Sequence, residues 1–188
     1  MKQRSRQPSF PRLIVFLGNP GNAYTRSRHN FAWMVMDSLF PDQQGWKEKF
    51  HGRFLRQDNL VFLKPLAFMN NSGKSAAAAL HFFGWPLEEL LVVHDDLETP
   101  FGTVQCTFGG GHRGNNGLRS IITLCGGNDF WRFRLGIGRP PGGRKPGDWV
   151  LERFSPHEEA LLPEITTESA RFLLEQCGKP QEKKLVFA

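Results

Sequence analysis

Leu13-Ile14-Val15-Phe16-Leu17-Gly18-Asn19-Pro20-Gly21 sets the reading of the whole chain. Five apolar residues in a row predict a short buried strand, and Gly18-Asn19-Pro20-Gly21 predicts an abrupt turn at its end. Working outward, Asn30 stands where it can cap a helix running through Phe31 and Trp33 to about Leu39, with Pro41 stopping it. Arg53 to Leu55 and Leu60 to Lys64 read as two strands around a Gln57-Asp58-Asn59 turn. Asn71 or Ser72 can cap a second helix rich in alanine from Ala76 to Ala79, ended by Gly84 and Pro86.

Leu90 to Val93 is a further buried strand, and Thr103 to Phe108 alternates like a strand with two unlike faces. A third helix is expected from about Asn116, with Leu118, Ile121, Ile122 and Cys125 on one stripe and Gly126 at its end. Phe133, Leu135 and Ile137 alternate with Arg132 and Arg134, which predicts a strand with an arginine face. Pro140 to Gly147 reads as a mobile basic loop around Arg144 and Lys145. Ser155-Pro156-His157-Glu158 is a capping-box signature for a final helical region, which Pro163 is expected to divide. Strands and helices alternate without repeats or a long linker. The expectation is one compact α/β domain over residues 13–188, a twisted mixed β-sheet flanked by helices, preceded by a flexible basic arm at residues 1–12.

Composition narrows the class without choosing the function. At 188 residues, 39% hydrophobic and 22% charged, the chain is an ordinary globular protein long enough to bury a core. No apolar run is long enough for a bilayer, and the first dozen residues carry no signal-peptide core. Cys106, Cys125 and Cys177 are odd in number and lack CxxC spacing. That pattern argues against a disulfide framework and a zinc site, and it suits a reducing cytoplasm; metal chemistry is not expected, and nothing in the sequence implies a cofactor. A net charge of +6 fits either a surplus of surface cations or a polyanion partner, because neutralised phosphates release counterions. Charge alone does not choose between them.

Four polar clusters lie just after predicted strands or at helix starts, where α/β sheets place their sites. They are Gly18-Asn19-Pro20-Gly21 with His29-Asn30, Phe68-Met69-Asn70-Asn71-Ser72-Gly73, His94-Asp95-Asp96, and the glycine-rich stretch from Gly109 to Gly117. Each alone has an ordinary explanation as a turn, a cap or a solvated loop. Their order and spacing together are specific. In LIVFLGNPGNAYTRSRHN, KPLAFMNNSGKS, LLVVHDDLETPFG and GGGHRGNNGLRS, followed by RFRLGIGRP, the chain resembles the bacterial peptidyl-tRNA hydrolase family from about Leu13 to Ser155.

The resemblance implies hydrolysis of the ester between a peptide and the 3′-terminal ribose of tRNA, recycling tRNA from peptidyl-tRNA released early from ribosomes. By it, His29 matches the catalytic base and Asp95 the carboxylate that orients it. Asn19 matches the residue that helps distinguish N-blocked from free aminoacyl groups. Tyr24, Phe68, Asn70 and Asn116 match contacts to the tRNA 3′ end or its peptide linkage, and Arg134 matches a contact to acceptor-stem phosphate. Two positions depart from the pattern: Thr107 stands where a basic residue is common, with Arg113 as a possible substitute, and Asn115 stands where a histidine is common.

The chemistry suits these roles independently. Ester hydrolysis near neutral pH needs a base for water, and an imidazole with an ordinary pKa near 6.5 fits that need. A carboxylate fixes the imidazole tautomer, and asparagine amides can hold water, ester carbonyl and peptide together. No Gly-x-Ser-x-Gly elbow appears, so water is the expected nucleophile. Asn70 or Asn116 can supply the oxyanion donor. The rival reading is a non-catalytic RNA-binding relative, against which stands the presence of His29, Asp95 and all three asparagines. A nucleotide-phosphate cradle is weaker, because neither GxxxxGK[ST] nor GxGxxG spacing is present. A monomer is the default expectation, since one small domain can complete the site.

Overall fold

The apolar run at the start of the chain forms β1 (Leu13–Phe16), and every residue of it is buried. The computed structural model describes residues 10–187. After β1 come α1 (Phe31–Leu39), β2 (Lys47–Lys49), β3 (Gly52–Gln57), β4 (Leu60–Pro65) and α2 (Ser72–Phe83). They are followed by β5 (Leu90–Asp96), β6 (Thr103–Phe108), α3 (Asn116–Cys125), β7 (Trp131–Gly136), α4 (Pro146–Trp149), α5 (Pro156–Gly178) and β8 (Lys183–Val186). The strands make one sheet in the order β2-β3-β4-β1-β5-β7-β6-β8. Its centre, β4-β1-β5-β7, is parallel, and both flanks are antiparallel. The expected mixed α/β sheet is therefore the fold.

The lack of alternation in β1 has a simple cause: both of its faces are covered, as is usual for a parallel strand. Ile14 and Phe16 pack with Leu91 and Val93 under α1 and α5, through Phe31, Val35, Phe172 and Leu173. Leu13, Val15 and Leu17 pack with Leu90 and Val92 under α2 and α3, through Ala76, Ala79, Leu118 and Ile121. Burial of each large apolar side chain stabilises by roughly 2 kcal/mol, so these two layers hold the sheet between its helices. Close approach of α2 to α3 depends on Gly73, whose amide donates to Ser120 Oγ at 3.0 Å. A Cβ there would collide with the Ser120 carbonyl.

Several sequence expectations need correction. His94, Asp95 and Asp96 are not a loop after β5; they are its last turn of strand and all are buried. Arg132 and Arg134 do form one face of β7, but that face is covered. The short strands β2 and β8 had no recognisable pattern: Lys47-Glu48-Lys49 is wholly exposed, and β8 holds only the outer edge of β6. Pro163 does not divide the last helix, and α5 runs unbroken for 23 residues. The hydroxyls of Thr166 and Thr167 take up the Pro163 carbonyl at 3.1 and 2.8 Å. Burial of Leu162, Ile165, Phe172 and Leu173 outweighs a proline cost of about 3 kcal/mol.

The basic loop expected through Gly147 ends at Lys145, because Pro146 opens α4. Of the expected N-terminal arm, residues 1–9 lie outside the described residues, while Arg12 is already tied to the sheet through Glu89 and Val61.

Candidate active site

Parallel strands present their C-terminal ends at one edge of the sheet, and open α/β sheets place their sites there. The loops after β1 and β4 and the end of β5 meet at that edge. Asp95 comes from β5, and His29 from a single helical turn, Arg28–Asn30, just before α1. Asp95 Oδ1 lies 2.8 Å from His29 Nδ1, and both side chains are buried. Burial alone would lower the His29 pKa, but the charge and hydrogen bond of Asp95 outweigh it and hold the imidazole above its ordinary 6.5. With Nδ1 committed to the carboxylate, Nε2 is the ring nitrogen left for the cleft.

The asparagines are set by one another. Asn30 does not cap α1 with its side chain; its amide instead closes a two-bond clasp on the Asn19 backbone. Asn30 Oδ1 accepts from Asn19 N at 2.8 Å, and Asn30 Nδ2 donates to Asn19 O at 3.0 Å. Asn19 Oδ1 in turn accepts from Met69 N at 2.8 Å, which joins the β1 loop to the turn after β4. That bond fixes the Asn19 amide with its NH2 as the free end, a donor.

Two adjoining clefts share His29 and Asn116 on their walls. One, of roughly 470 Å³, is lined by Asn19, Tyr24, Phe68 and Asn70 as well. The other, of roughly 260 Å³, is lined by Asp95, Asn115, Arg113 and Arg134. All eight residues singled out from the sequence are thus brought to one place. Tyr24 and Phe68 meet edge to face at 6.4 Å between centroids, and the Phe68 ring is 56% exposed. A matching profile, that of the family described as Peptidyl-tRNA hydrolase, covers residues 13–185.

The chain belongs to the peptidyl-tRNA hydrolase family.

Relatives carrying that name include one from Mycobacterium marinum, 44% identical over 85% of this chain and 87% of its own length. Another, from Treponema pallidum, is 46% identical over 81% of this chain and 80% of its own. The crystal structure of peptidyl-tRNA hydrolase from Acinetobacter baumannii matches with a TM-score of 0.72 at 31% identity, covering 92% of this chain and 95% of that one. As a member of the peptidyl-tRNA hydrolase family, the chain is a hydrolase, and its single α/β domain is the fold of its structural relatives.

Around the peptidyl-tRNA hydrolase motifs lie residues that sequence reasoning passed over. Arg28, next to His29, is only 2% exposed and is gripped at both ends of its guanidinium by Glu158, at 2.8 and 2.6 Å. Its charge also lies 3.8 Å from the centre of the Trp149 ring. Main-chain bonds from Arg28 N to Glu152 O and His29 N to Val150 O seat the catalytic-candidate segment on the chain that follows α4. Arg28 was visible only as one of several arginines; nothing local marks its partner.

The glycine-rich stretch crosses over the covered arginines. Gly110 adopts φ 100°, and a Cβ there would come within 2.8 Å of Arg132 Nη1. Its carbonyl accepts from Arg132 Nη2 at 2.5 Å. Burial, with Arg134 and Arg113 nearby, pushes the Arg132 pKa down to about 10. Arg134 donates through Nε to Thr107 Oγ1 at 3.1 Å and through Nη1 to Asp96 Oδ2 at 3.3 Å. Thr107, where the resemblance implied a basic residue, is therefore a partner of Arg134, while Arg113 is exposed on the same cleft. His94 is buried and pushed down to about 4, so it is neutral near pH 7. Its Nδ1–H donates to the Asp95 carbonyl at 2.7 Å.

Proposed function

We propose that the protein hydrolyses the ester joining a peptide, or an N-blocked aminoacyl group, to the 3′-terminal ribose of tRNA. The observation that carries this reading is the buried His29–Asp95 pair at 2.8 Å, opening onto a cleft walled by Asn19, Asn70 and Asn116. In this mechanism His29 Nε2 takes a proton from water as the oxygen attacks the ester carbonyl, and Asp95 stabilises the imidazolium that forms. An amide from Asn70 or Asn116 donates to the developing oxyanion. Collapse of the tetrahedral intermediate breaks the bond to the ribose 3′ oxygen, which receives the proton from the imidazolium. No step requires a metal or cofactor.

The Asn19 NH2, left free by the Met69 bond, suits the carbonyl of an N-acyl group, which an unblocked aminoacyl ester lacks. The exposed Phe68 ring beside Tyr24 offers a face on which a terminal base can stack, a sequence-tolerant contact. Arg134 and Arg113 provide positive charge for acceptor-stem phosphate. The products are free tRNA and a peptide acid, so the role is recycling of tRNA from peptidyl-tRNA lost by ribosomes. One chain furnishes every group named, which fits a monomer. Three free cysteines fit a reducing cytoplasm, and no helix among the described residues is long and apolar enough to cross a membrane.

The test is to incubate the protein with N-acetylaminoacyl-tRNA and with unblocked aminoacyl-tRNA and to follow acyl release from each. Rapid release from the blocked substrate alone is expected. Binding of both without turnover would favour the rival reading, an RNA-binding relative.

A further inference from the structure

We propose that Asn115 is a positioning residue for the His29–Asp95 pair, and that it couples the pair to the start of α3. Its side-chain oxygen accepts from Gly117 N at 3.0 Å and Leu118 N at 3.1 Å, which satisfies two amides that the helix itself leaves open. Those two donors fix which end of the amide is which. The NH2 end therefore faces β5, where it lies 3.3 Å from Asp95 Oδ1 and 3.5 Å from the Asp95 carbonyl. Asp95 Oδ1 is also the atom that meets His29 Nδ1. One carboxylate oxygen thus takes a donor from each side, and the carboxyl plane is held by two partners instead of one.

The arrangement has a mechanical basis. The Asn115 backbone is itself pinned by a bond from its N–H to the His112 carbonyl at 2.9 Å. Its oxygen is anchored to a helix packed firmly on the sheet through Leu118 and Ile121. A neutral amide can do this at any pH, and it adds no charge that would compete with His29 for the carboxylate.

The activity arm of the test rests on the hydrolytic reading above; the spectroscopic arm does not. Asn115→Ser and Asn115→Asp both retain an oxygen suited to the cap. Serine cannot reach Asp95, and aspartate replaces the donor with a second carboxylate. With N-acetylaminoacyl-tRNA as substrate, kcat is expected to fall about tenfold in Asn115→Ser and further in Asn115→Asp, with KM unchanged. The melting temperature of each should stay within a few degrees of wild type. In proton NMR, the downfield resonance of the hydrogen on His29 Nδ1 is expected to shift upfield and broaden in both variants. Unchanged kcat together with an unchanged resonance in Asn115→Ser would make the residue a helix cap and nothing more, overturning the proposal. If the wild-type protein released no acyl group, the hydrolytic reading would fail, and the His29 resonance would still decide the role of Asn115.

Discussion

Arg28 and Glu158, 130 residues apart in the chain, close two hydrogen bonds at 2.8 and 2.6 Å and so join the turn bearing His29 to the first turn of α5. Glu158 also completes the capping box with Ser155: its carboxylate accepts from Ser155 N at 2.7 Å, and its own N–H donates to Ser155 Oγ at 3.3 Å. Glutamine at this position keeps the capping box but removes the charge facing a buried guanidinium. Glu158→Gln is expected to cost about 2 kcal/mol, below the range for fully buried pairs because Glu158 is partly exposed. Urea unfolding monitored by tryptophan fluorescence measures this. A loss no larger than that of an exposed control such as Glu164→Gln would mean that the pair contributes little.

The pH dependence of activity follows from the His29–Asp95 pair. The imidazole must be neutral to accept a proton, and its pKa is held above 6.5. kcat/KM toward N-acetylaminoacyl-tRNA should therefore rise with pH through a midpoint above 6.5. In Asp95→Asn the burial of His29 remains while the raising charge is gone. The midpoint should then fall below 6.5, with the plateau reduced by at least about a hundredfold. A midpoint that stays in place would show that another group controls the limb.

His94 makes stability depend on pH in a separate window. Its pKa is about 4 in the folded protein, because burial disfavours the charged ring, against 6.5 when unfolded. The unfolded chain binds more protons between those values, so stability is full above about pH 6.5 and falls as pH drops toward 4. The contribution lost is about 3 kcal/mol. His29 has the opposite sign: its raised pKa favours the folded state at low pH and loses that benefit as pH rises through the folded value. Comparison of wild type with His94→Gln isolates the first effect. The variant should show a flatter stability profile between pH 4 and 6.5, and parallel profiles would refute the assignment.

Arg134 stands on a sheet face covered by the glycine-rich crossing, yet it lines the cleft, held by Thr107 and Asp96. Arg134→Ala should weaken tRNA binding and reduce the slope of log affinity against log salt by about one. Filter binding across a salt series checks this, with unchanged affinity at low salt as the contrary result. Because Asp96 would lose its cation, a companion Asp96→Asn variant separates loss of a phosphate contact from loss of the ion pair.

Much of the framework was readable along the chain. The β1 run, the alanine-rich α2 ended by a left-handed Gly84, and the amphipathic α3 ended by Gly126 all obey local rules of pattern and capping. What escaped was set by distant partners. β2 and β8 exist because neighbouring strands offer open hydrogen bonds, and Pro163 stays helical because its neighbours gain more from burial than the proline costs. The arginines of β7 look like surface residues by alternation, yet the glycine-rich crossing covers them.

The same division runs through the site. Sequence alone determined which residue types were available and in what order: a histidine, a carboxylate and three asparagines at the ends of elements whose periodicity is local. Only the tertiary structure decided that His29 and Asp95 share a bond, that Asn30 serves Asn19 rather than a helix, that the Asn115 amide reaches Asp95, and that Arg28 pairs with Glu158. The physical reason is range. Backbone periodicity and capping act over a few residues, whereas a hydrogen bond between side chains 66 residues apart exists only after the parallel strands have aligned their ends.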